Sequence, residues 1–127
     1  MNRLTRCAVL ALTLAAACDS QRPSHEGDLL VSYFRGGPEA GAIMLTITGG
    51  PVESVSAIGD QQVAFASPLA GTTKVIVTGT LGTGELLRLR VPDLDQSASY
   101  TVRVEQVADR NTFALIDPAL HTFTVHR

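Results

Sequence analysis

From Leu29 to Val125 the chain repeats one pattern: an apolar side chain, a polar or small one, then an apolar one again. Leu29, Val31 and Tyr33 alternate with Leu30, Ser32 and Phe34, and Ile43, Leu45 and Ile47 with Met44, Thr46 and Thr48. Val63 and Phe65 flank Ala64, and Val75 and Val77 alternate with Lys74, Ile76 and Thr78. Leu87, Leu89 and Val91, then Tyr100, Val102 and Val104, then Phe123 and Val125 continue the series. Successive residues of an extended chain point to opposite faces, so each run predicts a strand with one face in a core and one in water. The breaks carry turn residues: Gly36-Gly37-Pro38, Gly49-Gly50-Pro51, Gly59-Asp60, Ser67-Pro68, Gly82-Thr83-Gly84, Pro92-Asp93 and Asp117-Pro118. Their spacing is that of a sandwich or barrel. No segment sustains a helical period, and Pro118 to His121 makes a single turn at most. Each run offers only two or three inward residues, so one sheet needs another to pack on. Val107 and Ile116 break the alternation and mark bulges or strands buried on both faces. The expected fold class is all-β: one antiparallel β-sandwich over residues 28–127.

The length of 127 residues allows one ordinary domain. With 45% hydrophobic and 17% charged residues, the composition argues against a disordered chain. The formal net charge is −2, and the basic residues of the body are scattered singly. That distribution gives no electrostatic reason to bind nucleic acid. Both cysteines, Cys7 and Cys18, lie near the amino terminus. A disulfide scaffold, a cysteine zinc site and a cysteine nucleophile are thereby excluded for the folded body.

Residues 1–18 read MNRLTRCAVLALTLAAAC. Arg3 and Arg6 form a positive start, Cys7 to Leu14 a short apolar run, and Ala15 to Ala17 a small-residue stretch, which is the layout of a secretory signal. The run falls short of the ~20 residues of a membrane-spanning helix. The end of this segment resembles the lipobox of bacterial lipoproteins, with Ala15 at the position where that family usually carries Leu. The resemblance implies cleavage after Ala17, a diacylglyceryl thioether on Cys18 and acylation of the new amino terminus. Two or more acyl chains anchor stably. The alternative is an ordinary secretory signal followed by a chance cysteine. Asp19 resembles an inner-membrane retention signal of enteric bacteria, and both inner and outer membranes stay open. Residues 18–27 then form a lipidated, flexible tether, polar and without a hydrophobic period.

GAIMLTITGG (41–50), GTTKVIVTGT (71–80), GELLRLRVPD (84–93), YTVRVEQVAD (100–109) and the closing HTFTVHR resemble in rhythm the cohesin-like sandwiches, a jelly-roll relative of some carbohydrate-binding modules. The resemblance implies a fold and no ligand. The rival is a plain immunoglobulin-like sandwich, here without the Cys-Trp-Cys signature.

The chemistry-bearing residues are few. No G-x-S-x-G elbow occurs, and Ser54, Ser56 and Ser67 sit near turns without a neighbouring His. His121 and His126 are an odd number apart, which puts them on opposite faces and forbids joint chelation; both read as surface or edge residues. Asp93 and Asp95, with Asp109 and Asp117 in later loops, suggest calcium, but Asp also caps turns, and no D-x-D-x-D-G run is present. Glu53 and Glu85 are a conceivable glycosidase pair without an aromatic platform. The Gly82-Thr83-Gly84 turn joins strand to strand and offers no helix start for phosphate. Most aromatics fall on the core face. Phe34 and Phe113 have ambiguous facing and are the candidate contact residues. The sequence therefore leads to a non-catalytic interaction or structural module of the bacterial envelope, exported and held to the bilayer through Cys18. It calls for no cofactor and no metal, and its expected partner is an envelope protein. Alternatives are a carbohydrate-binding module, favoured if Phe34 and Phe113 are exposed near one another, and a small hydrolase, favoured by a pocket joining a Ser or Glu to His121.

Overall fold

β-Branched and leucine-rich runs fit a pleated, half-buried surface, and here they form antiparallel strands throughout. The computed structural model describes residues 25–127; the leader, Cys18 and residues 19–24 lie outside the described residues. Nine strands occur among them: β1 (Gly27–Arg35), β2 (Ala40–Thr48), β3 (Ser54–Ala57), β4 (Gln62–Leu69), β5 (Thr72–Thr78), β6 (Gly84–Val91), β7 (Thr101–Asp109), β8 (Leu115–Ile116) and β9 (His121–His126). A four-stranded sheet has the order β3-β6-β1-β9 and a five-stranded sheet the order β4-β5-β2-β7-β8. All connections except β4–β5 and β7–β8 cross between the sheets. The chain is a single antiparallel β-sandwich.

The core is aliphatic. Leu29 and Val31 of β1, Ile43, Leu45 and Ile47 of β2, Val75 and Val77 of β5, and Leu87, Leu89 and Val91 of β6 are buried in two facing layers. Each such side chain contributes about 1.5–3 kcal/mol relative to exposure, so these positions dominate the stability. Tyr33 and Tyr100 are the buried aromatics, and the Tyr100 hydroxyl donates to the Pro51 carbonyl at 2.6 Å.

Two bulges re-aim side chains. Between β2 and β7 the register passes from Met44–Gln106 to Leu45–Val104, leaving Glu105 as the extra residue. That slip returns Val107 to the core after Val102 and Val104, which accounts for its broken alternation. On β6, Val31 pairs with Leu87 and Ser32 with Glu85, so Leu86 and Leu87 are both buried.

Two 3-10 turns complete the fold. Leu94–Ser99 follows β6, and the Asp93 carboxylate caps it by accepting the Asp95 N–H at 2.9 Å. Pro118–Leu120 follows β8 and is capped by Asp117. Every strand running out of the Leu94–Ser99 end arrives at the Pro118–Leu120 end. The first described residues sit at the former: the His25 carbonyl accepts the Leu94 N–H at 2.7 Å, and His25 Nδ1 lies 3.0 Å from Asp95. Arg127 reaches the same turn through Leu94 and Ser97. Both termini of the described chain thus share one end of the sandwich, and β1 opens at Gly27, one residue before the expected domain start.

Candidate functional site

The end opposite the termini carries four large exposed apolar side chains: Phe34, Phe113, Leu115 and Leu120. Each is placed there by a local rule. Phe34 follows the core residue Tyr33 on β1, so alternation turns it outward, where it is 68% exposed in register with Thr122 of β9. Leu115 is the outward residue of the two-residue β8 and pairs with Ala108. Leu120 ends the second 3-10 turn; its carbonyl accepts the Gly36 N–H at 2.7 Å, and its side chain lies over Gly37.

Phe113 is built with most care. Asp109 Oδ1 accepts the N–H groups of Asn111 at 2.8 Å and Thr112 at 2.9 Å, and the Phe113 N–H donates to the Asp109 carbonyl at 3.0 Å. The backbone N–H groups of Thr112 and Asn111 hold the Asp109 carboxyl below the usual carboxylate range. The turn forces Phe113 to φ +58°, left-handed backbone that costs a non-glycine residue about 1–2 kcal/mol. The ring that bears this cost is 78% exposed. The left-handed residue closes the β7–β8 hairpin loop, and that turn geometry leaves the ring facing outward. The turn is tied to the β1–β2 loop: the Arg110 N–H donates to the Glu39 carbonyl at 2.9 Å, and its guanidinium meets the Glu39 carboxylate at 2.6 Å. The loop that follows Phe34 and the turn that presents Phe113 are therefore one joined surface. Among the described residues, neither ring stacks on another aromatic.

Beneath this end lies His121. His121 lies on an edge strand, as one half of the expectation had it, but not on the surface: it is 2% exposed, because the first residue of β9 faces inward and stacks on Tyr33. Its Nδ1 is 2.6 Å from the Tyr33 hydroxyl, and its Nε2 is buried with no partner. Burial, reinforced by the Arg35 charge, pulls the imidazole below its usual value; burial pushes the Tyr33 phenol up. A cleft of about 450 Å³ between β7 and β9 touches His121 and is otherwise lined by Val102, Arg103, Val104, Pro118, Ala119, Thr122 and Phe123. It contains no Ser or Glu, so it does not join a nucleophile or acid to His121.

The remaining candidates separate. His126 is exposed on the opposite face from His121 and meets Ser32 Oγ at 2.8 Å, a Ser–His contact absent from the sequence reading. It lies outside every cavity described here, on a polar face with Thr124 and Arg88. Ser54 and Ser56 belong to the short strand β3, near the turns on either side of it, with Ser56 in register with Arg88. Glu53 N–H bonds the Arg90 carbonyl at one end of β6 while Glu85 is near the other, about 16 Å along the strand. Glycosidase carboxyls sit about 5–9.5 Å apart, so these two do not form such a pair. Asp93, Asp109 and Asp117 each cap their own turn, and among the described residues no group of three or more His, Cys, Asp and Glu is placed to hold a metal.

The two outer faces differ. Over the four-stranded sheet, Arg90 pairs with Glu26 at 3.2 Å and Asp28 at 3.5 Å, and Arg88 with Asp28 at 3.8 Å. Over the five-stranded sheet, Met44, Ala64, Ala66, Lys74 and Ile76 line a shallow trough of about 220 Å³ that also touches Phe65 at the β4 edge. A second one of about 110 Å³ shares Met44 and Ile76 with it and runs to Ala108 and Leu115. This apolar strip was missed by sequence reasoning. Its signal was present as the apolar residues Met44 and Ile76 at outward positions of two runs, but only strand pairing sets them side by side.

Compared with known proteins, the chain matches no protein-family model, no curated protein and no solved structure.

Proposed function

We propose that this chain is a non-catalytic interaction module of the bacterial cell envelope, exported by its leader, anchored through Cys18, and binding an envelope protein through the Phe34–Phe113 end. The observation that carries the reading is the placement of four exposed apolar side chains at the end farthest from where the chain enters the fold. An anchor attached at one end leaves the other end uncovered. Aromatic anchors dominate the energy of protein interfaces, and a rigid turn presents Phe113 at little further entropic cost.

A second reading rests on one feature: two aromatic rings, Phe34 and Phe113, are exposed at the same end, as sugar stacking on an envelope polysaccharide requires. One experiment separates the two. The full chain in mild detergent is used to capture partners from native envelope and, separately, to retard isolated envelope polysaccharide in a gel. Phe34→Ala and Phe113→Gly are compared with the parent. The expected result is a defined protein captured by the parent and lost by about tenfold or more with each variant, as for residues worth 1.4 kcal/mol or above. Retardation by polysaccharide that both variants abolish supports the second reading. Capture and retardation indifferent to both variants overturn both. Phe113→Gly serves as a folding control as well, since glycine accepts the positive φ.

A further inference from the structure

We propose that β4 is a pairing edge for a second copy of this chain. Among the described residues β4 hydrogen-bonds only β5, so one row of its backbone N–H and C=O groups has no strand partner there. Such an edge recruits another extended strand unless shortness, charge or proline blunts it. Two of the other three edges are blunted by shortness, β3 with four residues and β8 with two; β9 has six, and its first residue, His121, is buried. β4 has eight residues and none is charged. The nearest lysine, Lys74 on β5, turns away from this edge, its Nζ lying 3.1 Å from Thr46 Oγ1 and 3.8 Å from Glu105. Pro68 and the register shift after Ala66 disable the far half, leaving residues 62–66 to pair.

The occupant follows from charge and register. A neutral edge offers nothing to an ionic segment and suits a strand equally neutral and apolar, which a second β4 is. A two-fold axis through Ala64 sets Ala64 opposite itself, Val63 opposite Phe65 of the second copy, and Gln62 opposite its Ala66. Both faces gain in this register. On the inner side, Phe65 lies in register with the buried Val75 yet is 42% exposed, because no strand lies beyond it. Val63 of the second copy covers it. On the outer side Met44, Ile76 and Ala64 form one row across β2, β5 and β4. The two-fold continues that row through Ala64 to Ile76 and Met44 of the second copy, merging two troughs into one. A slip by one residue would set outward against inward positions and forfeit both gains.

The test uses the mature chain in detergent. Cα atoms directly opposite in an antiparallel pair are about 4.5–5.5 Å apart, within disulfide range. Ala64→Cys is expected to give a disulfide-linked dimer on mild oxidation, while Thr122→Cys on the far edge of the other sheet stays monomeric. The parent chain, oxidised alongside, reports any link through a Cys18 left unmodified. In a second arm, Gln62→Lys with Ala66→Lys sets like charges opposite one another and is expected to raise the dimer dissociation constant by about tenfold. Gln62→Glu with Ala66→Lys sets opposite charges there and restores it. Ala64→Cys chains that link no faster than Thr122→Cys chains overturn the proposal, as does a sedimentation equilibrium indifferent to both charge pairs. The Phe34–Phe113 reading is tested separately, by capture with Phe34→Ala and Phe113→Gly.

Discussion

His121 shows how one buried ring couples stability to pH. In the neutral state its Nδ1 accepts a hydrogen bond from the Tyr33 hydroxyl at 2.6 Å, and its Nε2 is shut away without a partner among the described residues. A second proton removes that acceptor and places a charge in an apolar setting, across the β1–β9 pair from Arg35. The folded-state value is therefore depressed below the unfolded value near 6.5. The sign follows: the unfolded chain binds the extra proton first, so this stability is complete above about pH 6.5. It is lost as pH falls towards the depressed folded value. Denaturation midpoints between pH 7 and 5 should fall with a slope of up to about 1.4 kcal/mol per pH unit from this group. His121→Gln keeps an acceptor for Tyr33 without titrating, and should flatten that slope. An unchanged slope would show that the ring titrates freely.

At the scale of the element, the turn after β2 is the least replaceable piece. Gly49 has φ +107°, and a Cβ there would run into the Ser99 carbonyl oxygen. The same turn is stitched by Ser99 Oγ, which donates to the Gly49 carbonyl at 3.0 Å. Gly49→Ala should therefore cost about 2 kcal/mol or more in urea denaturation, combining positive-φ strain with backbone displacement. A loss under about 0.5 kcal/mol would mean the turn relaxes freely. The same element logic explains what the sequence revealed. The strands with two or three inward residues were legible because alternation is periodic, and the broken period at Val107, which left a bulge or a doubly buried strand open, resolves to a bulge at Glu105. β3 and β8 were not legible, since Ser54–Ala57 and Leu115–Ile116 are too short to show a period. The Asp93-x-Asp95 spacing marked a capped 3-10 turn, because the cap uses the same short-range geometry that a calcium loop would begin with. Phe34 and Phe113 were named as candidates without their facing. Parity relative to Tyr33 settles Phe34, whereas Phe113 depends on a turn built by Asp109 that no alternation rule describes. The sheet-face trough needs strand order, which turn spacing does not contain.

For the whole molecule, the arrangement of ends makes the anchor and the contact surface compatible. Residues 19–24 reach at most about 20 Å when fully extended, whereas the nine residues of β1 span about 30 Å. Pairing through β4 turns the two copies end for end, so two upright copies could not both reach one membrane. If both proposals hold, two copies anchored through Cys18 would lie with their strands along the bilayer, tethers at opposite ends and both Phe34–Phe113 ends free. The proposed arrangement rests on an anchor at Cys18, close to the fold. Mass spectrometry of the mature amino terminus should find Cys18 as the first residue, carrying a diacylglyceryl group and an amide-linked acyl chain. Cys18→Ala should move the protein from the membrane to the soluble fraction, because each buried methylene of those chains is worth about 0.8 kcal/mol and two or more chains make the difference between transient and stable anchoring. A mature chain that begins elsewhere, or begins at an unmodified Cys18, would detach the sandwich from the bilayer and leave its exposed end to be explained as the surface of a freely diffusing protein.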